Sequence, residues 1–149
     1  MSIEKDIQQS KFRNEYHKTV VNLIFTYNWI TEKTKQFFDK GDITSQQYNI
    51  LRILKGSGRP LSTMQIRERM LDRMSDTSRI IDRMVAKGIV EKKPNDNDKR
   101  LVDITITTKG MYVLGELDKQ NHKLESIVSN LLPHEAEMLN DLLDKMRGE

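Results

Sequence analysis

Ile89-Val90-Glu91-Lys92-Lys93-Pro94-Asn95-Asp96-Asn97-Asp98-Lys99-Arg100-Leu101-Val102-Asp103-Ile104-Thr105-Ile106 interrupts an otherwise helical chain of 149 residues. Val102, Ile104 and Ile106 alternate with Asp103 and Thr105. That period of two marks a half-exposed strand. Ile89 to Lys93 forms a first strand, and Pro94 to Arg100, dense in turn formers, joins the two. The stretch therefore predicts a hairpin with a polar, charged tip. Everything on either side of it has helical periodicity, so this one interruption decides the architecture.

Immediately upstream, Ser75 to Lys87 reads as a helix. Met74, Thr77, Ile81, Met84 and Val85 share one face, with Ile80 at its edge. Ser75, Asp76, Arg79, Asp82 and Arg83 occupy the other face, flanked by Ser78, and Gly88 supplies a left-handed cap. A tight connection, Leu71 to Met74, separates it from a short helix that ends near Met70-Leu71. That helix opens with Ser62 and Gln65 at capping-box spacing and with Leu61 and Ile66 as a hydrophobic staple. The same signal occurs at Thr44 and Gln47, with Ile43 and Tyr48, and starts a helix that stops at Gly56-Ser57-Gly58-Arg59-Pro60.

Long helices flank this middle. From Lys11 to Asp39, Phe12, Tyr16, Val20, Leu23, Tyr27, Ile30 and Phe37 recur at steps of three and four. Such a helix is about 40 Å long, more than a domain of this size needs to cover its own core. Val21, Ile24, Trp29 and Phe38 widen its apolar stripe, which implies packing against a second chain. After the hairpin, Thr107 caps a helix with Leu114, Leu117, Leu124, Val128 and Leu131 on its stripe. Pro133 opens a last helix with Leu139, Leu142, Leu143 and Met146 on one side. Met70, Met74 and Met84 are expected to fill the core of the middle lobe, and Tyr16, Tyr27 and Trp29 to lie in the core or a dimer interface.

Helix, short helix, tight turn, helix, hairpin is the order of a winged helix-turn-helix. The expected fold is mainly α (α+β), with a two-stranded wing. Charge follows the same division. Arg59 to Lys109 holds 12 Lys and Arg against 8 Asp and Glu, while the rest of the chain holds 13 against 14. A basic middle on a chain of net charge +3 points to a polyanion such as nucleic acid. The helix 75–87 would then enter the major groove, where Arg suits bidentate contact with guanine. A hairpin arm with Arg100 suits a narrow A·T-rich minor groove. Asp98, two residues away, is placed to pair with Arg100 and fix its direction. Asp82 is read as orienting Arg79 or Arg83, or as accepting from a cytosine amino group.

At this point a resemblance appears. Residues 43 to 110 resemble the MarR family of bacterial transcriptional regulators. The match is densest in Asn95-Asp96-Asn97-Asp98-Lys99-Arg100, followed by Val102, Ile104, Ile106-Thr107 and Gly110, which looks like the family's wing signature with Ile106 in place of the usual Leu. Arg79 to Val90 is similar to its recognition helix. The resemblance implies an obligate homodimer with first and last helices intertwined, a pseudo-palindromic operator, and repression relieved by a small, often anionic aromatic ligand. It implies three parts: an N-terminal dimerisation helix (1–40), a DNA-binding lobe (41–110) and C-terminal dimerisation helices (111–149). The expected DNA contacts are Ser62, Gln65, Ser75, Asp76, Thr77, Ser78, Arg79, Arg83, Lys99 and Arg100. The expected wing pair is Asp98 with Arg100. Expected dimer contacts are Phe12, Tyr16, Val20, Leu131, Leu139, Leu142 and Met146.

Other chemistry finds little purchase. The chain has no cysteine, which excludes disulfide scaffolds, zinc ribbons and thiol-based sensing. No P-loop, G-x-G-x-x-G, H-E-x-x-H or G-x-S-x-G motif is present, so neither an enzyme nor a cofactor is expected. His134 with Glu135 and Glu137 raises a metal-responsive regulator as an alternative, although the ligand spacing favours a plain helix start. A winged helix used for protein interaction, without DNA binding, is the other alternative. No apolar run has the length of a membrane span or signal peptide, and a cytoplasmic location is expected.

Overall fold

The structure, a computed structural model, describes residues 2–148. A short helix α1 (Ile3–Asp6) leads to the long α2 (Glu15–Asp39), then α3 (Ser45–Ser57), β1 (Leu61–Ser62), α4 (Thr63–Arg69) and α5 (Thr77–Ala86). The hairpin follows as β2 (Val90–Pro94) and β3 (Val102–Ile106). Then come α6 (Thr108–Asp118), α7 (His122–Glu125), a 3-10 turn at Ser126–Val128, and α8 (Pro133–Arg147).

Local chemistry accounts for most boundaries. Thr44 Oγ1 accepts from the Gln47 N–H at 3.2 Å while Gln47 Oε1 accepts from the Thr44 N–H at 3.1 Å, so both capping-box donors are satisfied. Ser62 and Gln65 repeat the arrangement at 3.2 and 3.0 Å. Thr107 caps α6 through the Gly110 N–H at 3.1 Å. Gly88, at φ +72°, turns the chain out of α5 into β2. The long helix starts at Glu15 rather than Lys11, because the Asn14 side chain accepts from the His17 N–H at 2.9 Å and caps it there. Phe12 thus lies outside the helix, its ring edge-on to His17.

The sheet has three strands in the order β1-β3-β2, all antiparallel. The wing is the expected hairpin, with Val90 opposite Ile106 and Pro94 opposite Val102. Leu61 and Ser62, expected only as staple and cap of the short helix, also form β1: Leu61 pairs with Ile104 and Ser62 with Asp103. The wing is thereby tied to the start of α4.

One core fills the middle of the chain. Ile50, Leu51, Leu61, Ile66, Ile81, Met84 and Ile104 are fully buried, joined by Phe37 and Phe38 from the end of α2 and by Leu114 and Leu117 from α6. Asp118 accepts from Arg52 Nη1 and Lys55 Nζ, both at 3.0 Å, and fastens the end of α6 to α3. Near the N-terminus, Glu4 meets Lys18 at 2.6 Å, and this hydrogen bond holds the Glu4 carboxyl down at about 2. The helix after the wing is not continuous: α6 ends at Asp118 and the chain turns before α7.

One expectation about packing needs correction and another is narrowed. Met70 and Met84 are in the core, but Met74 is 94% exposed. It sits in the turn before α5, where helical periodicity no longer applies. Of the two places expected for Tyr16 (85% exposed), Tyr27 and Trp29, the core is excluded, since all three are surface residues of the single chain.

Gly110 occupies a tight place. A Cβ there would stand 2.1 Å from the Ile89 carbonyl oxygen and 2.8 Å from the Ile106 side chain. By helix propensity alone, Gly110→Ala would stabilise α6 by about 1 kcal/mol. The clash reverses the sign. Gly110→Ala is expected to cost about 3 kcal/mol or more, read as a lowered denaturation midpoint; an unchanged or raised midpoint would show that the backbone yields there.

Candidate nucleic-acid interface

α5 carries the candidate surface. Ile81 and Met84 are fully buried and Thr77 nearly so. At about 100° per residue, Arg79 lies nearly opposite this buried face, with Arg83 and Ser78 on either side of it. All three are exposed. The helix begins two residues later than expected, because Asp76 is its cap. Asp76 Oδ1 accepts from the Arg79 N–H at 3.2 Å, and Oδ2 pairs with Arg79 Nε, also at 3.2 Å.

The other anticipated contacts divide sharply. Thr77 points into the lobe: it is buried, and its Oγ1 has no hydrogen-bond partner. As the first residue of α5, on the same face as Ile81, it is a packing residue, which corrects the expectation of a DNA contact. Ser75 is half-buried in the turn and donates to the Asp72 carbonyl at 2.7 Å. Ser62 and Gln65 spend their polar groups on each other's backbone, as described. Ser78, Arg79, Arg83, Lys99 and Arg100 remain exposed.

Ion pairs remove several charges from play. Asp82 pairs with Lys92 of β2 rather than with either arginine of its own helix. Lys93 pairs with Glu91 at 2.8 Å, and this bond, with a further one from the Thr105 hydroxyl, pushes the Glu91 carboxyl below its ordinary range. Among the described residues no ion pair holds Arg83, Lys99 or Arg100. Unneutralised charge therefore sits on the exposed side of α5 and at the wing tip, as it does at Arg59, Arg67, Arg69 and Arg73 around α4.

The tip is built rather than loose. Asn95 Oδ1 accepts from the Asn97 and Asp98 N–H groups at 2.9 and 3.0 Å, while its Nδ2 donates to Asp103 at 3.0 Å. The Leu101 N–H reaches the Asp98 carbonyl at 2.9 Å. Asp98 Oδ1 accepts from the Arg100 backbone N–H at 3.0 Å. The expected side-chain pair between Asp98 and Arg100 is not formed; at a spacing of two the carboxylate closes a turn on the backbone instead. Asn95 was not singled out by the sequence reading, although an Asn-x-Asn-Asp run is a recognisable turn signal. An open groove of about 730 Å³ runs between this tip and α4, lined by Arg59, Ser62, Gln65, Asn95, Arg100 and Asp103 among others. Arg59 on its wall was likewise not anticipated.

Comparison with known proteins places this geometry. The model of the MarR family matches residues 41–101. The multiple antibiotic resistance protein MarR of Escherichia coli K12 is 30% identical over 111 residues, spanning 70% of this chain and 74% of that protein. The chain belongs to the MarR family. It shares the MarR fold with a variant of E. coli MarR crystallised with operator DNA, at a TM-score of 0.80 and 24% identity over 92% of this chain and 99% of that one. An organohalide-sensing transcriptional regulator, solved with 2,4-dichlorophenol, gives a TM-score of 0.82 at 19% identity, covering 93% and 85%. The relatives of this MarR-family regulator are transcription factors. Among the described residues, no three His, Asp or Glu side chains cluster in a way that would hold a metal ion, and no helix is long and apolar enough to cross a membrane.

The wing turn has a direct readout. Asp98→Ala removes the acceptor of the Arg100 amide, so that amide is expected to exchange with solvent at least several-fold faster while Leu114 and Leu117 amides in the core do not change. Hydrogen exchange checks this, and an Arg100 amide as slow as before would remove Asp98 from the account of the tip.

Proposed function

We propose that this chain is a homodimeric repressor that reads a pseudo-palindromic operator, one α5 helix to each half-site, and releases it on binding a small aromatic ligand. The carrying observation is the shape of the lobe: α5 is seated by Ile81 and Met84 and presents Ser78, Arg79 and Arg83 outward, with Arg100 of the wing on the same lobe. Ser78, Arg79 and Arg83 meet base edges and phosphates in the major groove. Lys99 and Arg100 follow the neighbouring minor groove and backbone. The crystallised E. coli relative with operator DNA supports this reading.

Dimerisation follows from uncovered apolar surface. α8 has no buried residue in the single chain, and Leu139, Leu142 and Met146 are 43 to 56% exposed. Tyr16 and Val20 on α2 are exposed as well, and Phe12 and Leu131 are half-buried. An amphipathic helix with an unpaired apolar side seeks a partner, and the partner is a second copy. Residues 1–40 and 111–149 form the dimer in this assignment, and 41–110 form the DNA-binding lobe. The ligand class is taken from the neighbour solved with 2,4-dichlorophenol.

A mobility shift with the DNA upstream of the chain's own gene tests the first claim. Binding is expected to weaken steeply with salt, with a log–log slope near −0.9 per phosphate contact. Arg100→Ala is expected to weaken binding, most on sites with A·T-rich flanks. Failure to shift any promoter-like fragment at low salt would leave a winged helix for protein interaction instead.

Light scattering is expected to return twice the 17.5 kDa chain mass. A stable monomer would overturn the assignment of α2 and α8 to an interface.

A further inference from the structure

Asp76 is out of place on a DNA-reading surface. It is exposed beside Arg79 at the start of α5, where a carboxylate would repel phosphates. The other carboxylate of the helix, Asp82, is drawn off by Lys92. Asp76 instead meets one residue twice: Oδ1 accepts a hydrogen bond from the Arg79 backbone N–H, and Oδ2 makes an ion pair with Arg79 Nε, each at 3.2 Å.

We propose that Asp76 is a positioning residue for base readout: it holds Arg79 by the Nε edge and leaves the Nη1–Nη2 edge free to take a guanine. This rests on the DNA-binding reading above and names the base it would select.

The chemistry of the guanidinium carries the argument. It is a planar fork with five N–H donors. An ion pair at Nε draws the guanidinium toward Asp76 and occupies that side of it. The two terminal nitrogens then present parallel N–H bonds along the free edge, the arrangement that matches guanine O6 and N7. Arg79 is 80% exposed and opposite the buried face of α5, so nothing in the lobe competes for that edge. The charge of Asp76 is tolerated where it stands. It lies at the positive end of the helix dipole and beside a cation. An exposed pair of this kind contributes little to folding. Its effect lies in restricting the rotamers of a long side chain before DNA arrives, which lowers the ordering that binding requires.

The device separates capping from positioning. Asn is as good an N-cap as Asp, so Asp76→Asn keeps the bond to the Arg79 N–H and removes the charge that holds Nε. Asp76→Ala loses both.

Selection of bound sequences from a randomised duplex library by the full-length chain tests the proposal. The expected motif has one strongly preferred guanine per half-site, lost in Arg79→Ala and in Arg79→Lys. Asp76→Asn is expected to keep the wild-type denaturation midpoint and to relax that guanine preference about five- to tenfold, within the range of one bidentate contact. It is also expected to bind random duplex more tightly, because a negative charge has left the phosphate-facing surface. A cap lost without any role in readout would move specific and random binding together. An unchanged guanine preference in Asp76→Asn overturns the proposal and leaves Asp76 as a helix cap. A preference that survives Arg79→Ala overturns it through Arg79. No salt-dependent binding of any duplex by the wild type fails both the proposal and the function on which it rests.

Discussion

A single backbone junction holds the molecule together. Where α5 exits at Gly88-Ile89, the chain meets the start of α6. The Thr107 hydroxyl donates to the Gly88 carbonyl at 2.7 Å, the Thr107 N–H reaches the Ile89 carbonyl at 3.2 Å, and Lys109 Nζ caps the Lys87 carbonyl at 2.8 Å. Gly110 lets the two segments approach this closely. The junction also closes the wing, since Val90 and Ile106 are the first residues of the ladder on either side of it. The orientation of α5 is thus referred directly to α6, which runs on toward the C-terminal helices.

Charge is arranged to serve the same division. Six cations of residues 41–110, Arg52, Lys55, Arg79, Lys87, Lys92 and Lys93, are matched with carboxylates. Among the cations left over are Arg83 on α5 and Lys99 and Arg100 at the wing tip. The net charge of +3 understates this local field. In a protein that associates with a polyanion, the arrangement of unpaired cations sets the encounter rate more than the total does.

Much of this was legible in the sequence because it is local. Both capping boxes, the Gly88 turn and the change of period at Ile89 depend on neighbours within a few residues, and their physics survives folding intact. What was misread depends on longer range or on a competing local option. The two residues of β1 have no periodicity of their own and exist only through Ile104 and Asp103. Met74 was placed in the core by extending the α5 pattern across the turn that ends it. Thr77 looked like a polar contact, but its position on the Ile81 face outweighed its hydroxyl. Asp98 and Arg100 have the right charges to pair, yet the backbone amide two residues on was the nearer donor. The fold and the exposed arginines were therefore readable, while the partners of the carboxylates were not.

The wing tip carries one more consequence. Its turn is closed by the chain's own Asn95 and Asp98. An arm that must fold as it docks loses conformational entropy at that moment, which lowers affinity. Here that entropy is given up during folding, so in the proposed reading the arm that carries Arg100 would meet its groove as a preformed probe. Association should then have the kinetics of docking rather than of coupled folding, and its heat capacity change should reflect the surface covered and not the ordering of the loop.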